Sequence, residues 1–218
     1  MKITWYGHAA FKIVTGAGTR IIIDPYEHGA FGGALSYGKI TDEADIVLTS
    51  HDHADHNNVR DIKGKFTRIS KTGTYEVAGL KITAIPTFHD PSQGRERGAN
   101  LLFLIEADDL RLVHTGDLGH VLSDDTAQAV GAVDVLLVPV GGFYTIDAKE
   151  ATEVVNILKP KIVIPMHFKT RKCDFPIAPV EEFTRGKADV QAIQGAELEI
   201  TKAELPSSTR ITLLKYAL

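Results

Sequence analysis

"LTSHDHADHNN", residues 48–58, places three histidines and two aspartates in the six positions 51–56, directly after the apolar run "DIVLTS" (45–50). On an extended backbone His51 and His53 point to the same side, because side chains alternate with a period of two. Asp55 and His56 follow where the chain bends toward a helix, and adjacent residues there diverge. One tight turn can therefore serve two metal ions, with His51 and His53 on one and Asp55 and His56 on the other. Neither pair is complete, since zinc takes four ligands and a catalytic zinc keeps one position for water. A solvated polar turn also contains His and Asp, but it leaves the pattern of the remaining chain unexplained.

That pattern is an apolar strand ending in a ligand-type residue. "RIIID" ends at Asp24, "DIVLTSH" at His51, "ITAIPTFH" at His89, "RLVHTGD" at Asp117 and "KIVIPMH" at His167. In α/β sheets functional groups collect beyond the carboxyl ends of the strands, where the loops are free to vary on a rigid frame. Strands running the same way would gather these side chains in one place. Histidine and carboxylate suit zinc, with manganese or iron as substitutes, and His89, Asp117 and His167 supply what the turn lacks.

The surrounding texture agrees. "ITWYG", "FKIVT", "TYEVAG", "LKITAIPTF", "NLLFLIEA", "LRLVHTG" and "VDVLLVPV" read as strands, and "RITLLKYA" as a closing strand. "DDTAQAVGA", "DAKEATEVVNILK" and "PVEEFTRGK" read as helices, with Asp147 and Glu150 as an N-cap and its partner. "EHGAFGGALSYGK" (27–39) is glycine-rich and aperiodic, so it reads as a mobile loop. Gly33–Ile40 matches a P-loop in its glycines and lysine, but Ile40 stands where magnesium needs Ser or Thr, and no helix pattern follows. Nucleotide binding is rejected there, and the segment is kept as a lid over the metals.

The 218 residues are 44% hydrophobic and carry a net charge of -4, with no linker-like tract, so one α/β domain over residues 1–218 is expected. The charge is too mild for a nucleic-acid coat or a membrane surface. No apolar run has the roughly 18 residues of a membrane span, and the start lacks the pattern of a signal peptide. A lone Cys173 excludes an internal disulfide framework. These features point to a cytoplasmic protein, with oligomers left open.

The chain resembles the metallo-β-lactamase superfamily, whose H-x-H-x-D-H signature stands here as His51, His53, Asp55 and His56. "WYGHAAFKI", "IIIDPY", "HTGDLGH" and "IPMH" are similar to the branch containing ascorbate-6-phosphate lactonase and N-acyl phosphatidylethanolamine phospholipase D. The resemblance implies a four-layer αβ/βα sandwich with a dinuclear, zinc-type centre at one edge. It also implies that His51, His53 and His89 hold one metal, that Asp55, His56 and His167 hold the other, and that Asp117 bridges them. His114 competes with His89 for its place. His89 is preferred because it ends its strand, whereas His114 lies inside "RLVHTGD", where it would support Asp117.

Two such divalent ions would carry a bridging hydroxide as the nucleophile, so Cys173 need not be catalytic. Asp55 would orient that hydroxide and relay its proton. His120 and His8 are the candidates to protonate a leaving group or to bind substrate. Asp24 is expected to hold a ligand histidine by its other ring nitrogen. Arg95, Arg97, Lys169, Arg171 and Lys172 follow His89 and His167 and could receive a phosphate or carboxylate, while Tyr144 and Thr145 would line the pocket. The expected activity is hydrolysis of a small anionic ester, lactone or phosphodiester. An iron-dependent oxygenase and a non-catalytic metal-stabilised binding module are the alternatives. Diiron flavoproteins carry Glu where His53 stands here. The RNA-binding arm of ribonuclease Z relatives is not evident, so no nucleic-acid partner is expected.

Overall fold

The structure is a computed structural model and describes all of residues 1–218. The first sheet uses β1 (Lys2–Gly7), β2 (Ala10–Val14), β3 (Arg20–Ile23), β4 (Ile46–Leu48), β5 (Thr67–Ile69) and β13 (Glu197–Glu199) in the order β13-β1-β2-β3-β4-β5. The second uses β6 (Gly73–Val77), β7 (Leu80–Phe88), β8 (Ala99–Ala107), β9 (Leu110–His114), β10 (Val135–Pro139), β11 (Ile162–Met166), β12 (Val190–Ala192) and β14 (Arg210–Leu213). Its order is β12-β14-β11-β10-β9-β8-β7-β6. Three helices follow the second half of the chain: α1 (Asp124–Val130), α2 (Ala148–Leu158) and α3 (Val180–Thr184).

Strand direction positions the site. In the first sheet β1 and β3 are both antiparallel to β2, and β4 is parallel to β3. In the second, β7 and β9 are both antiparallel to β8, while β10 and β11 run parallel to β9. β1, β3 and β4 therefore deliver His8, Asp24 and His51 to one edge of their sheet. β7, β9, β10 and β11 likewise deliver His89, Asp117, the 141–145 loop and His167 to one edge of theirs.

Burial follows the strand period. Ile3, Trp5, Phe11, Ile13, Ile21, Ile23, Ile46 and Leu48 point into the main core. The intervening Tyr6, Ala10, Ile22 and Val47 point to the other face, where they meet Tyr26, Leu35, Tyr37, Phe175 and Ile177. The central strands β10 and β11 are buried at every position, as expected of parallel strands covered on both faces. One cover is α2, through Ala151, Val154 and Leu158, with Phe183 of α3 beside it. Asp147 and Glu150 form the expected capping box at the start of α2, an arrangement worth about 1 kcal/mol.

Residues 27–39 are pinned rather than free, which corrects the reading of a mobile loop. Leu35 and Tyr37 are fully buried, and each such burial contributes about 2 kcal/mol. The amide of Ser36 donates to the Lys172 carbonyl, that of Asp174 donates to the Ala34 carbonyl, and the Tyr37 hydroxyl meets Thr170 Oγ1. The glycine count hid the spacing of Leu35 and Tyr37, which is that of a strand edge.

Candidate metal centre

The sheet edges bring the strand-terminal residues together. Ligand-type atoms of His51, His53 and His89 lie within 4.8 Å of one another, as do those of His8, Asp55, His56 and His167, and those of His51, His56 and Asp117. Asp117 Oδ2 is the hub. It stands 3.2 Å from His56 Nε2, 3.2 Å from His89 Nε2, 3.3 Å from His167 Nε2 and 4.0 Å from His51 Nε2. One carboxylate oxygen has lone pairs for about two hydrogen bonds, so four converging imidazole nitrogens are not explained by hydrogen bonding. Nitrogens bound tetrahedrally at roughly 2.0–2.1 Å from one zinc ion lie about 3.3 Å apart. His51 Nε2 and His53 Nδ1, 3.0 Å apart, are close to that spacing.

Charge makes the same point. Asp24 (0% exposed), Asp117 (2%) and Asp55 (6%) are all buried, and every ion-pair partner they have is a histidine. Three buried carboxylates without a Lys or Arg are costly unless a cation joins them. His8 Nδ1, Asp55 Oδ1, His56 Nε2, His89 Nδ1, Asp117 Oδ1 and His167 Nδ1 are also buried with no hydrogen-bond partner. The donor set therefore fits divalent cations.

Without a cation the histidines respond to each other and to the acids. Burial, followed by the neighbouring His56, pushes His51 down to about 3, which leaves it neutral with a lone pair to offer. Burial opposes charge on His56 too, but Asp117, Asp55 and Asp24 together hold its pKa well above the ordinary value. Burial alone would raise Asp117, and the facing His167 and His56 pull it well below the carboxylate range. The three carboxylates thus favour the charged form of His56, at the place a cation would take among them.

Ligand orientation is fixed from behind. Asp24 accepts the Ser50 amide at 2.7 Å, the Ser50 hydroxyl at 2.6 Å and His56 Nδ1 at 2.9 Å. Ser50 Oγ, having donated to Asp24, accepts from His51 Nδ1 at 2.9 Å. Both rings consequently carry their proton on Nδ1 and turn Nε2 toward Asp117. Asp24 reaches His51 only through Ser50, which sequence reading did not single out even though it stands directly before His51. Buried Asn100 was also missed: its Oδ1 accepts the Asp117 amide, and its Nδ2 donates to Thr87 and to the Thr115 carbonyl. Gly116 makes this possible, since a side chain there would begin 2.3 Å from Asn100 Oδ1. A polar residue opening the run "NLLFLIEA" was the available signal. His114 pairs with the Ala9 carbonyl through Nε2 and with the Gly116 amide through Nδ1, which leaves no ring nitrogen for a metal.

The structure revises several roles expected for other residues. His8 is fully buried behind Asp55, with Nε2 at 3.0 Å from Asp55 Oδ2. Burial, with His167 next, lowers its pKa to about 4. Neutral and outside the cavity, His8 orients Asp55 and has no proton to give a leaving group. His120 receives the Phe88 amide on Nε2 and pairs with the Val121 carbonyl through Nδ1, so its ring is committed to backbone.

A cavity of about 290 Å³ opens over Asp117, and its walls include His53, Asp55, His89 and His167. Arg97 is the only Lys or Arg in those walls, and Tyr144 faces it. Arg95 is exposed and outside the cavity. On an extended loop Arg95 and Arg97 would face the same way, since side chains alternate. Instead Asp90 winds residues 91–97 into turns by accepting the amides of Ser92, Gly94, Glu96 and Arg97. An Asp followed by "PSQG" is a turn signal, and it was overlooked. Lys169 is held by Asp174 and the Phe175 carbonyl, Arg171 is exposed, and Thr145 is buried; none of the three faces the cavity.

A sequence profile for the β-lactamase superfamily domain matches residues 2–167. The match spans each site residue from His8 to His167, so the class is that of the metallo-β-lactamase hydrolases. A UPF0173 metal-dependent hydrolase of Thermococcus onnurineus (strain NA1) is 32% identical over 228 residues, covering 91% of this chain and 98% of its own. Among crystal structures, a Thermotoga maritima protein described as a candidate Zn-dependent hydrolase of the metallo-β-lactamase superfamily has a TM-score of 0.82 at 37% identity. That alignment covers 98% of this chain and 97% of the other. A metallo hydrolase of Ignicoccus hospitalis has a TM-score of 0.61 at 25% identity, over 84% and 88% of the two chains. The chain belongs to the UPF0173 metal-dependent hydrolases of the metallo-β-lactamase superfamily. No helix is long and apolar enough to cross a membrane.

Proposed function

We propose that the protein is a dinuclear, zinc-type hydrolase of a small anionic ester, lactone or phosphodiester. His51, His53 and His89 form one ligand set, Asp55, His56 and His167 the other, and Asp117 lies between them. The observation that carries this reading is the single oxygen of Asp117 facing imidazole nitrogens of both sets at 3.2–4.0 Å. When bound, the two cations supply an acidified water as nucleophile and polarise the attacked oxygen. Asp55 lines the cavity, and its Oδ1 is without a hydrogen-bond partner; beside a bound cation the carboxylate would orient the attacking water and accept its proton. His8 keeps the other carboxylate oxygen engaged and so fixes the plane of that group.

The test is a panel of chromogenic carboxylic esters, lactones and phosphodiesters, run on metal-loaded and chelated protein. Turnover that disappears on chelation and returns with zinc is expected. No turnover of any member by fully loaded protein, together with oxygen consumption by the iron form, would assign the site to an oxygenase.

Arg97 supports the anionic part of the substrate. Its Nη2 donates to the Phe143 carbonyl at 3.3 Å and its Nη1 lies 3.7 Å from Glu96, too long for a hydrogen bond. Arg97→Ala is expected to raise KM for an anionic substrate by about 1.5–3 kcal/mol in binding terms, with Arg97→Lys recovering part of the loss. Equal damage to charged and neutral esters of matched size would make Arg97 a loop anchor instead.

A further inference from the structure

We propose that the mouth of the cavity is an aryl-binding subsite, and that the substrate carries a flat apolar arm opposite its anionic, hydrolysable end. This deepens the hydrolase reading and rests on it for the word substrate. Phe31 is 55% exposed, and its ring centroid lies 5.3 Å from that of Phe175, which lies 5.6 Å from that of Tyr144. All three rings line the same cavity as His53, Asp55 and Asp117. Centroid separations of roughly 4.5–7 Å in tilted or edge-on pairs are those of interacting aromatic rings. The three rings thus pack into one wall beside His53, Asp55 and Asp117, with Phe31 its exposed member.

Backbone conformation gives a second argument. Phe31 has φ 55°; Phe143, outside the cavity walls but packed on the lining Tyr144 at 4.7 Å and 64% exposed, has φ 64°. Bulky side chains rarely adopt the left-handed region. The other non-glycine residues with positive φ include His8, Asp24 and His167 of the site, while Ala78, Asp108, Asp109 and Lys159 lie at ordinary hairpins and a helix end. Strained backbone that exposes a phenyl ring disfavours the free protein twice over. Strain of this kind concentrates where a ligand repays it, and the occupant of this cavity is whatever the metals act on.

Calorimetric titration with phenylphosphonate and methylphosphonate tests the proposal on the metal-loaded protein, because the two probes share an anionic head that is not hydrolysed. The wild type should prefer the phenyl probe about tenfold. Phe31→Ala should bring that ratio toward one, and Phe31→Tyr should restore most of it, with metal content by elemental analysis equal in all three. A wild-type ratio near one, or a ratio that Phe31→Ala leaves unchanged, overturns the subsite. Since neither probe turns over, aryl preference without hydrolysis of any ester would support the subsite and sink the hydrolase reading. Hydrolysis without aryl preference would do the reverse.

Discussion

Asp117→Ala is expected to leave less than one metal per chain and to lower kcat/KM by on the order of 10³-fold or more. It is the one carboxylate within 4.0 Å of nitrogens from both proposed ligand sets, so its loss would remove a negative charge that both sets face. Without Asp117 the His51–His53–His89 set is three imidazoles with no carboxylate among them. Elemental analysis after metal loading and desalting reads the first effect, and initial rates read the second. The metal-free variant should unfold more easily than metal-free wild type, because His56 would keep a buried charge with one fewer carboxylate facing it. Retention of two metals with a rate loss of only a few-fold would show that Asp117 does not bridge.

The second large effect belongs to Asp24, which never touches the cavity. It holds His56 directly and His51 through Ser50, one ligand from each set. Asp24→Ala should therefore weaken both metals together, each by about 10–100-fold, rather than sparing one. It also strands the Ser50 amide and His56 Nδ1 as buried donors, at a cost on the order of 3 kcal/mol to the metal-free fold. Ser50→Ala separates the two paths. It should loosen the set that contains His51 and leave the set that contains His56 near its wild-type affinity. Competition against a chromophoric chelator distinguishes the two sites. If Asp24→Ala altered one affinity alone, the relay through Ser50 would carry no weight.

The residues gathered at the sheet edges were legible because each ends a strand or stands in one turn, and strands that run the same way converge whatever their separation in sequence. His89 could be preferred to His114 on that basis, and His114 is indeed spent on the Ala9 carbonyl and the Gly116 amide. Groups whose role depends on a partner distant in sequence were not legible. His8 follows a strand like the ligands do, but only the fold shows that Asp55 stands in front of it. Arg95 and Arg97 face the same way on paper, and four amides gathered by Asp90 turn them apart. Phe31 was submerged in a glycine-rich segment whose buried Leu35 and Tyr37 hold it over the cavity. The short strands β5, β12 and β13, three residues each, are too brief for an alternating pattern to register.

The central claim is that one edge of this sandwich holds two cations on a shared carboxylate. Its most direct test is elemental analysis of protein purified without added metal, then reconstituted with zinc, manganese or iron and freed of excess. The account predicts close to two ions per chain at saturation, with zinc held at least as tightly as the others. Saturation at a single ion, with iron preferred over zinc, would contradict it.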